Sequence, residues 1–227
     1  MSNRTCTAVI VAAGSASRMK GIDKTVAPIG GEPLILRTVK AMASAEDITE
    51  ILIVTREDLI PVVSELCSEE PKVSRVIAGG SSRSESVLRG LEAASGEMVA
   101  IHDGARPFIT AEIIHNTVSA AVKYGGAAPA IPVKDTIKIA YLGKVEETPD
   151  RASLFAVQTP QVFFRDAIKE VLVKAMEMNI PLTDDCSAAE WAGKTVFLTE
   201  GSEENIKITT PMDLILGEAI LQRRSQL

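Results

Sequence analysis

The chain has 227 residues, of which 46% are hydrophobic and only 4% aromatic, and its formal net charge is −6. This length suits one α/β domain with an aliphatic core, while the acidic balance and the scarcity of aromatic rings argue against a broad nucleic-acid or membrane surface. Any anionic ligand must therefore be bound by a few well-placed cations. The three cysteines are scattered and include no CxxC pair, as is typical of reduced, buried thiols.

No stretch of the sequence approaches the roughly 18 consecutive apolar residues that a transmembrane helix requires. Arg4, the apolar run 5–13 and the small residues 14–16 together mimic a secretory signal. Cleavage there would remove the first predicted strand and its loop, on which the rest of the predicted fold depends. We therefore expect the segment to be retained and the protein to be cytoplasmic.

The N-terminal segment predicts a buried strand that ends in a loop of small residues. The apolar run 8–13 leads into Gly14, and Arg18 and Lys24 follow. Small side chains let backbone N–H groups approach a ligand, and such groups combined with two cations suit a polyphosphate. The spacing matches neither the P-loop nor the dinucleotide-binding glycine fingerprint. A flexible turn with two solvated cations is the alternative interpretation.

The next four elements alternate between amphipathic helices and apolar strands. Strands that are apolar throughout are typical of a parallel sheet covered by helices on both faces. The predicted elements are a helix from Pro33 to about Met42, a strand at 51–54, a helix at 58–66 and a strand at 73–77.

A second small-residue loop precedes the next predicted helix. Gly79 and Gly80 are followed by Ser82 and Glu85, whose spacing fits a capping box, and apolar positions continue the helix to Ala94. The pattern alone supports a well-capped helix and a ligand site equally. Because the loop follows the carboxyl end of a strand, where ligands bind in open α/β sheets, a ligand site is the stronger hypothesis.

The strand predicted at 98–102 ends in Asp103, Gly104 and, two residues later, Arg106. A carboxylate at such a strand end is well placed to hold a divalent metal that bridges phosphate oxygens, and an arginine supplies a planar fork for phosphate. An isolated Asp-Gly pair is otherwise typical of a turn. His102 alternates with Asp103 and should point away from it, which favours a structural role.

Polarity alternates on both sides of Tyr141-Leu142-Gly143, from 135 to 140 and from 144 to 148, and this pattern predicts a β-hairpin. Such an arm has no core of its own, so we expect it to pack on a partner. The remaining predicted elements are a helix from Thr110, a central strand at 127–133, a helix at 165–178, a short helix from about Cys186 to Trp191, a strand at 194–198 and a helix from Met212.

Lys207 stands between Ile206 and Ile208. If both isoleucines enter the core, alternation turns the lysine toward an opening. A solvated lysine at a sheet edge is the alternative interpretation.

Seven motifs follow one another along nearly the whole chain. They are the first loop with Arg18 and Lys24, Gly-Gly-x-x-Arg-x-x-Ser at 79–86, His-Asp-Gly-Ala-Arg-Pro at 102–107, Lys-Asp-Thr-Ile-Lys at 134–138, the segment 150–161, Thr-Asp-Asp at 183–185 and Asn-Ile-Lys-Ile-Thr at 205–209. Taken in order, they resemble the 2-C-methyl-D-erythritol 4-phosphate cytidylyltransferase family of the non-mevalonate isoprenoid pathway. The chain departs from the family pattern at Ala16, where the family usually has a second glycine, and in the segment 24–28.

The resemblance implies a Rossmann-like α/β fold, an open and mostly parallel twisted sheet with helices on both faces plus a protruding β-hairpin arm. It implies a single nucleotidyltransferase domain over residues 1–227, with the arm at about 134–150 making a homodimer. The implied reaction is attack of the polyol phosphate on the α-phosphate of CTP, assisted by Mg²⁺, with release of pyrophosphate. Neither nucleic acid nor a membrane is an expected partner.

The resemblance also implies roles for individual residues. Arg18, Lys24 and Lys207 would stabilise charge during catalysis, and Asp103 would hold the metal. The nucleotide would be bound by Ala12, Ala13, Gly14, Gly80, Ser81, Ser86, Asp103 and Ala105. The polyol phosphate would be bound by Arg106, Thr159, Thr183 and, from the neighbouring chain, Arg151.

Two alternatives stay open. Ribitol-5-phosphate cytidylyltransferases share most of these motifs, although Asp150, Arg151 and Leu154 favour methylerythritol phosphate. A non-catalytic nucleotide-binding module is the second alternative, but such a module is expected to have lost some of the charged residues that this chain retains. A nicotinamide-dependent oxidoreductase is disfavoured because its glycine fingerprint is missing.

Overall fold

The computed structural model describes residues 5–14 and 25–226. Eight of the twelve strands in these residues form one sheet, and the other four form two small pairs. The strands are β1 (Cys6–Ala12), β2 (Pro28–Ile29), β3 (Glu32–Pro33), β4 (Ile48–Thr55), β5 (Val73–Ala78), β6 (Met98–Asp103), β7 (Gly126–Pro132), β8 (Ile139–Tyr141), β9 (Lys144–Glu147), β10 (Phe155–Val157), β11 (Gln161–Phe164) and β12 (Phe197–Glu200).

The helices lie close to their predicted positions, and four of them begin at a side-chain cap. Ser82, Thr110, Asp184 and Thr210 each accept a hydrogen bond from the backbone N–H three residues further on. The helices are α1 (Leu34–Ala43), α2 (Ile60–Leu66), α3 (Arg83–Ala93), α4 (Ala111–Tyr124), α5 (Arg165–Glu177), α6 (Asp185–Trp191) and α7 (Pro211–Arg224), with short 3₁₀ turns at Glu57–Leu59 and Arg151–Ser153.

The large sheet is mostly parallel, as the sequence predicts. Its order is β5-β4-β1-β6-β11-β7-β10, and β12 also pairs with β7, parallel to it. The strands β11 and β10 are antiparallel to their neighbours, whereas the other six run in one direction.

Helices cover both faces of this sheet because successive strand residues point to opposite sides. Ile51 and Ile53 pack in a core with α1, α2 and α4, whereas Leu52 packs in a second core with α3, α5 and α6. A third, smaller cluster seats α7 against Ile29 and Phe108. The α/β class is thereby confirmed.

Local details differ from the sequence prediction. The final strand begins at Phe197 rather than Lys194, because pairing with Ala127 on β7 sets its register. The box predicted at Ser82 is only half formed, since the Glu85 carboxylate accepts from the N–H and hydroxyl of Ser81 instead of returning to Ser82. Pro33 ends a short strand and precedes the helix instead of starting it.

The strands β8 and β9 pair antiparallel through a Leu142-Gly143 turn, and every residue in both is exposed. That this hairpin reaches a second copy of the chain stays a prediction. None of the helices in the described part of the chain has the length and apolar character needed to span a bilayer.

Candidate active site

A pocket of about 350 Å³ opens at the carboxyl ends of β1 and β6, beside the start of α3. This is the edge of a parallel sheet at which ligands are expected. Small residues and backbone form most of the wall, with charged side chains at one end. The lining residues are Val11, Ala12, Ala13, Gly14, Thr25, Leu34, Gly80, Ser81, Ser82, Arg83, Ser86, Asp103, Gly104, Ala105 and Lys207.

The two small-residue loops approach each other closely at Gly79. A Cβ atom on Gly79 would lie 2.5 Å from the Ala13 Cβ and 2.8 Å from the Ser86 Oγ. The glycine therefore permits a contact between the end of β1 and the start of α3 that a larger residue would force apart. The buried Ser86 hydroxyl accepts from the Gly80 N–H at 3.0 Å and donates to the Ser82 carbonyl at 2.8 Å, which holds this second loop in shape.

Asp103 forms the anionic centre of the charged end. Its carboxylate lies 2.8 Å from the Lys207 Nζ, 3.5 Å from the Arg106 Nε and 3.9 Å from the Arg83 Nε. Burial works to raise the pKa of this carboxyl, but the three cations outweigh it and hold the pKa at about 2. Asp103 is therefore ionised at neutral pH.

A chain of hydrogen bonds behind the pocket fixes the Asp103 backbone. The Asp103 N–H donates to the Thr159 Oγ1 at 3.1 Å, and that hydroxyl contacts the His102 Nδ1 at 3.0 Å. The Arg106 carbonyl can only accept, so the His102 Nε2, 3.0 Å away, carries the proton and Nδ1 accepts from Thr159. Burial lowers the pKa of His102 to about 4, consistent with a neutral, structural imidazole.

Arg83 is a pocket residue that we did not select from the sequence. Its Nη2 lies 2.7 Å from the Oδ2 of the buried Asp185 carboxylate at the start of α6. Burial raises the pKa of Asp185, and the guanidinium opposes that shift. The signal was the arginine of the motif at 79–86. Its partnership with Asp185, 102 positions away, has no sequence signature.

The structure brings together all eight residues predicted to bind the nucleotide. These residues, which all line the pocket, are Ala12, Ala13, Gly14, Gly80, Ser81, Ser86, Asp103 and Ala105. Lys207 also faces this opening, although its segment has no regular secondary structure.

The residues predicted to bind the second substrate are more dispersed. Arg106 lies behind Asp103 and donates from Nη1 to the Asn205 carbonyl at 2.6 Å. Thr159 is buried, and its hydroxyl is engaged by His102 and Asp103. The exposed Thr183 and Arg151 are not among the lining residues of this pocket. Arg18, Lys24 and the variant position Ala16 lie outside the described residues.

Among the described residues that line the pocket, Asp103 is the only carboxylate that could bind a metal ion. Within residues 5–14 and 25–226, no group of three or more His, Cys, Asp or Glu side chains could hold one. Mg²⁺ characteristically keeps several waters and is bound through one or two carboxylates plus substrate phosphates, so Asp103 fits that mode and does not fit a preformed protein cage.

Comparison with known proteins agrees with this geometry. Residues 6–223 match the family model described as 2-C-methyl-D-erythritol 4-phosphate cytidylyltransferase. Relatives with that name from Clostridium botulinum (strain Loch Maree / Type A3) and Geobacillus kaustophilus are 46% and 45% identical. They cover 95% and 96% of this chain and 96% and 97% of their own lengths.

Solved structures show the same correspondence. A 4-diphosphocytidyl-2C-methyl-D-erythritol synthase from Anaerococcus prevotii superposes with a TM-score of 0.88 at 31% identity, covering 97% of this chain and 99% of that one. The 2-C-methyl-D-erythritol 4-phosphate cytidylyltransferase from Thermus thermophilus gives 0.79 at 30% identity, with 94% and 98% covered. On its fold, its pocket and these matches, the chain belongs to the 2-C-methyl-D-erythritol 4-phosphate cytidylyltransferase family.

Proposed function

We propose that the protein joins CTP and 2-C-methyl-D-erythritol 4-phosphate to give 4-diphosphocytidyl-2-C-methyl-D-erythritol and pyrophosphate. The observation that carries this proposal is the division of one pocket into two ends. One end is made of small residues and backbone, and the other holds Asp103 among Lys207, Arg106 and Arg83. A nucleoside triphosphate has the same division between an uncharged base and a polyanionic tail.

In the proposed reaction an oxygen of the methylerythritol phosphate attacks the α-phosphorus of CTP. A new P–O bond forms on one side while the bond from the α-phosphorus to the bridging oxygen breaks, and pyrophosphate leaves with the electron pair. No general base is required, because a phosphate monoester has a second pKa of about 6 and is largely a dianion at neutral pH. The protein contributes positioning and charge stabilisation.

The small-residue end is proposed to bind the cytidine. Ala12, Ala13 and Gly14 on one side, with Gly80 and Ser81 on the other, would present backbone groups to the base and ribose. Ser86 supports this wall because its hydroxyl is already committed to Gly80 and Ser82. The contact at Gly79 keeps the two sides close enough to serve one ligand.

The charged end is proposed to bind the phosphates. Lys207 is partly exposed at the pocket, so its ammonium group, which contacts Asp103, would also contact the triphosphate. Arg18 and Lys24, outside the described residues, are proposed to join it on the strength of the family resemblance. Three cations around the α-phosphate and the departing pyrophosphate would stabilise charge that accumulates in the transition state.

Asp103 is the residue that would hold Mg²⁺, with phosphate oxygens and water completing the shell. When bound, the ion would neutralise phosphate charge and polarise the phosphoryl oxygens. The protein's own contribution is to keep Asp103 ionised and its backbone fixed by Thr159 and His102.

The methylerythritol phosphate is proposed to bind beside Lys207, with Arg106 and Thr183 from the same chain and Arg151 from a second copy. Supporting the last point, Arg151 follows the exposed hairpin and donates to the Lys134 carbonyl at 3.0 Å at the hairpin's base. We therefore propose a homodimer formed through residues 134–150. A catalytically normal monomer lacking residues 135–149 would refute that assembly.

The decisive experiment measures pyrophosphate release by the purified protein with CTP and Mg²⁺, comparing methylerythritol 4-phosphate with ribitol 5-phosphate. We expect rapid release only with methylerythritol 4-phosphate. Preference for ribitol 5-phosphate would keep the chemistry and change the substrate, and failure with both in a folded, CTP-binding protein would refute catalysis. A cytoplasmic location is also proposed, in agreement with three buried, free cysteines.

A further inference from the structure

Lys207 belongs to a segment without regular secondary structure that connects β12 to α7. A lysine side chain has four rotatable bonds, and an irregular segment adds freedom of the main chain. Placing its ammonium group 2.8 Å from Asp103 therefore requires anchors on the backbone nearby. One anchor follows the lysine directly, since the Ile208 N–H donates to the Ala105 carbonyl at 2.8 Å.

The anchor that precedes the lysine is the fully buried side chain of Asn205. Its Nδ2 donates to the Thr159 carbonyl at 3.0 Å and to the Gln158 Oε1 at 3.2 Å. Its main-chain carbonyl accepts from the Arg106 Nη1 at 2.6 Å. Asn205 thus links the Lys207 segment to Thr159, which holds the Asp103 backbone, and to Arg106, which lies beside the Asp103 carboxylate.

The direction of this network is determined by backbone groups. The Thr159 carbonyl can only accept, so the amide nitrogen of Asn205 must face it. Gln158 is also oriented, because its Nε2 donates to the Ser202 carbonyl at 2.7 Å and its Oε1 accepts from the Ser202 N–H at 3.2 Å. The remaining acceptor capacity of Oε1 points to Asn205. A residue without an amide or equivalent donor cannot replace Asn205 here.

We propose that Asn205 is a positioning residue for the transfer reaction, which sets Lys207 relative to Asp103 without contacting substrate. The inference rests on the proposed function in that Lys207 is taken to act on the phosphates. Glu204 supplies a separate anchor to α7 through Arg224, at 2.9 Å, so loss of the Asn205 amide should loosen the segment without releasing it.

The test compares Asn205→Ala with Asn116→Ala, a change at an exposed asparagine on α4. We expect Asn205→Ala to lower kcat by about 10- to 100-fold, as for misplacement of a reacting group, with a much smaller change in the KM for CTP. The control should match the parent. A fall in kcat that is accompanied by a comparable fold-rise in KM and by a clear drop in melting temperature would instead indicate a structural role and overturn the proposal.

A double-mutant cycle identifies the residue through which Asn205 acts. The cycle is measured under single-turnover conditions in a Lys207→Met background. Adding Asn205→Ala there should change the single-turnover rate constant by less than about 2-fold, because the group being positioned is already gone. Losses that multiply across the two sites would overturn the proposal. Asn205→Asp, which keeps the shape but places an oxygen against two acceptors, should resemble Asn205→Ala.

A second readout does not depend on turnover. The lysines are reductively methylated with ¹³C, and the Lys207 signal is assigned by its loss in Lys207→Met. Asn205→Ala should shift that signal and Asn116→Ala should not, whereas an unmoved Lys207 signal refutes positioning. Failure of the parent protein to release pyrophosphate would refute the proposed function and leave this spectroscopic test of Asn205 intact.

Discussion

Glu50 on β4 and Asp103 on β6 are carboxylates on the two strands that flank β1, at opposite ends of it. In both, the pKa is held at about 2. Partial burial works to raise the pKa of Glu50, but hydrogen bonds from Ser95, Thr7 and Ser74 outweigh it. For Asp103 the opposing groups are cations.

The partners explain what each end of the sheet can do. Glu50 accepts from the Thr7 hydroxyl at 2.7 Å, the Ser95 N–H at 3.0 Å, the Ser95 hydroxyl at 2.6 Å and the Ser74 hydroxyl at 2.8 Å. These uncharged donors satisfy the carboxylate and join β1, β4 and β5, leaving no surplus of positive charge. Such a site stabilises the fold.

The Asp103 end carries three cations near one carboxylate. Arg83 is shared with Asp185, but the cluster still leaves positive charge facing a pocket. A polyanion entering there would gain from this field at the place where catalysis needs it. Similar pKa values therefore arise from two kinds of environment, of which only the cationic one is suited to attract a phosphate ligand.

We expect the largest loss of activity from Lys207→Met, which removes a cation from the pocket. We expect kcat to fall by roughly 10²- to 10³-fold, the loss typical of removing one group that stabilises transition-state charge. The melting temperature should change little, because Asp103 keeps Arg106 and Arg83. Steady-state kinetics would check this, with Lys174→Met on the exposed face of α5 as the control. Full activity in Lys207→Met would contradict the proposal that the cations around Asp103 act in catalysis.

The next effect contrasts Asp103→Asn with Glu50→Gln, two changes that each remove one negative charge. Asp103→Asn should lower kcat by about 100-fold and raise the Mg²⁺ concentration needed for half-maximal activity. Glu50→Gln should keep kcat within about 2-fold, since a glutamine can still accept from Ser95 and donate to the Ser74 hydroxyl. Kinetics across a magnesium titration would show both results, and matching losses would make the two sites equivalent.

A smaller effect is expected for Arg83→Lys, which keeps the charge and loses the planar guanidinium. The arginine reaches Asp185 and Asp103 from one side chain, and a point charge cannot serve both with the same geometry. We expect about a 10-fold loss in kcat/KM for CTP. Arg75→Lys, at an exposed position on β5, is the matched control. No loss in Arg83→Lys would limit the functional cluster to Asp103, Arg106 and Lys207.

The α/β class and most element positions were predictable because they depend on local periodicity and caps. Asp103 was found as a polar residue at a strand end, which topology turns into a ligand position. The prediction that Lys207 faces an opening assumed that residues 206–208 form a strand with alternating side chains. The side chain does face the pocket, although its segment is irregular and is held by hydrogen bonds to distant residues. The predicted position of β12 was wrong because pairing with β7 sets where the strand begins, and the apolar pattern of the sequence does not reveal that pairing.

The contacts that define the charged end were beyond prediction for a physical reason. Arg83 meets Asp185, and Asn205 meets Gln158 and Thr159, only after the sheet has brought separate segments together. A sequence records which side chains can form ion pairs or hydrogen bonds but not the distances between them. Glu50 shows the same limit, since nothing in its sequence surroundings distinguishes it from an exposed glutamate.

The smallest expected effect is on stability in acid, and it belongs to Glu50. Its pKa is about 2 in the folded protein against an ordinary value of 4.5, so the folded state binds this proton less readily than the unfolded state. The stabilisation is complete above pH 4.5 and is lost as the pH falls toward 2.

Glu50→Gln should therefore lower the free energy of unfolding by about 1 kcal/mol at neutral pH and flatten its decline below pH 4.5. Urea unfolding at a series of pH values would measure both, with Glu69→Gln, at an exposed position, as the control. An unchanged pH slope would mean that the hydroxyl and amide donors do not hold Glu50 ionised. The two ends of the sheet would then differ in more than the charge of their donors.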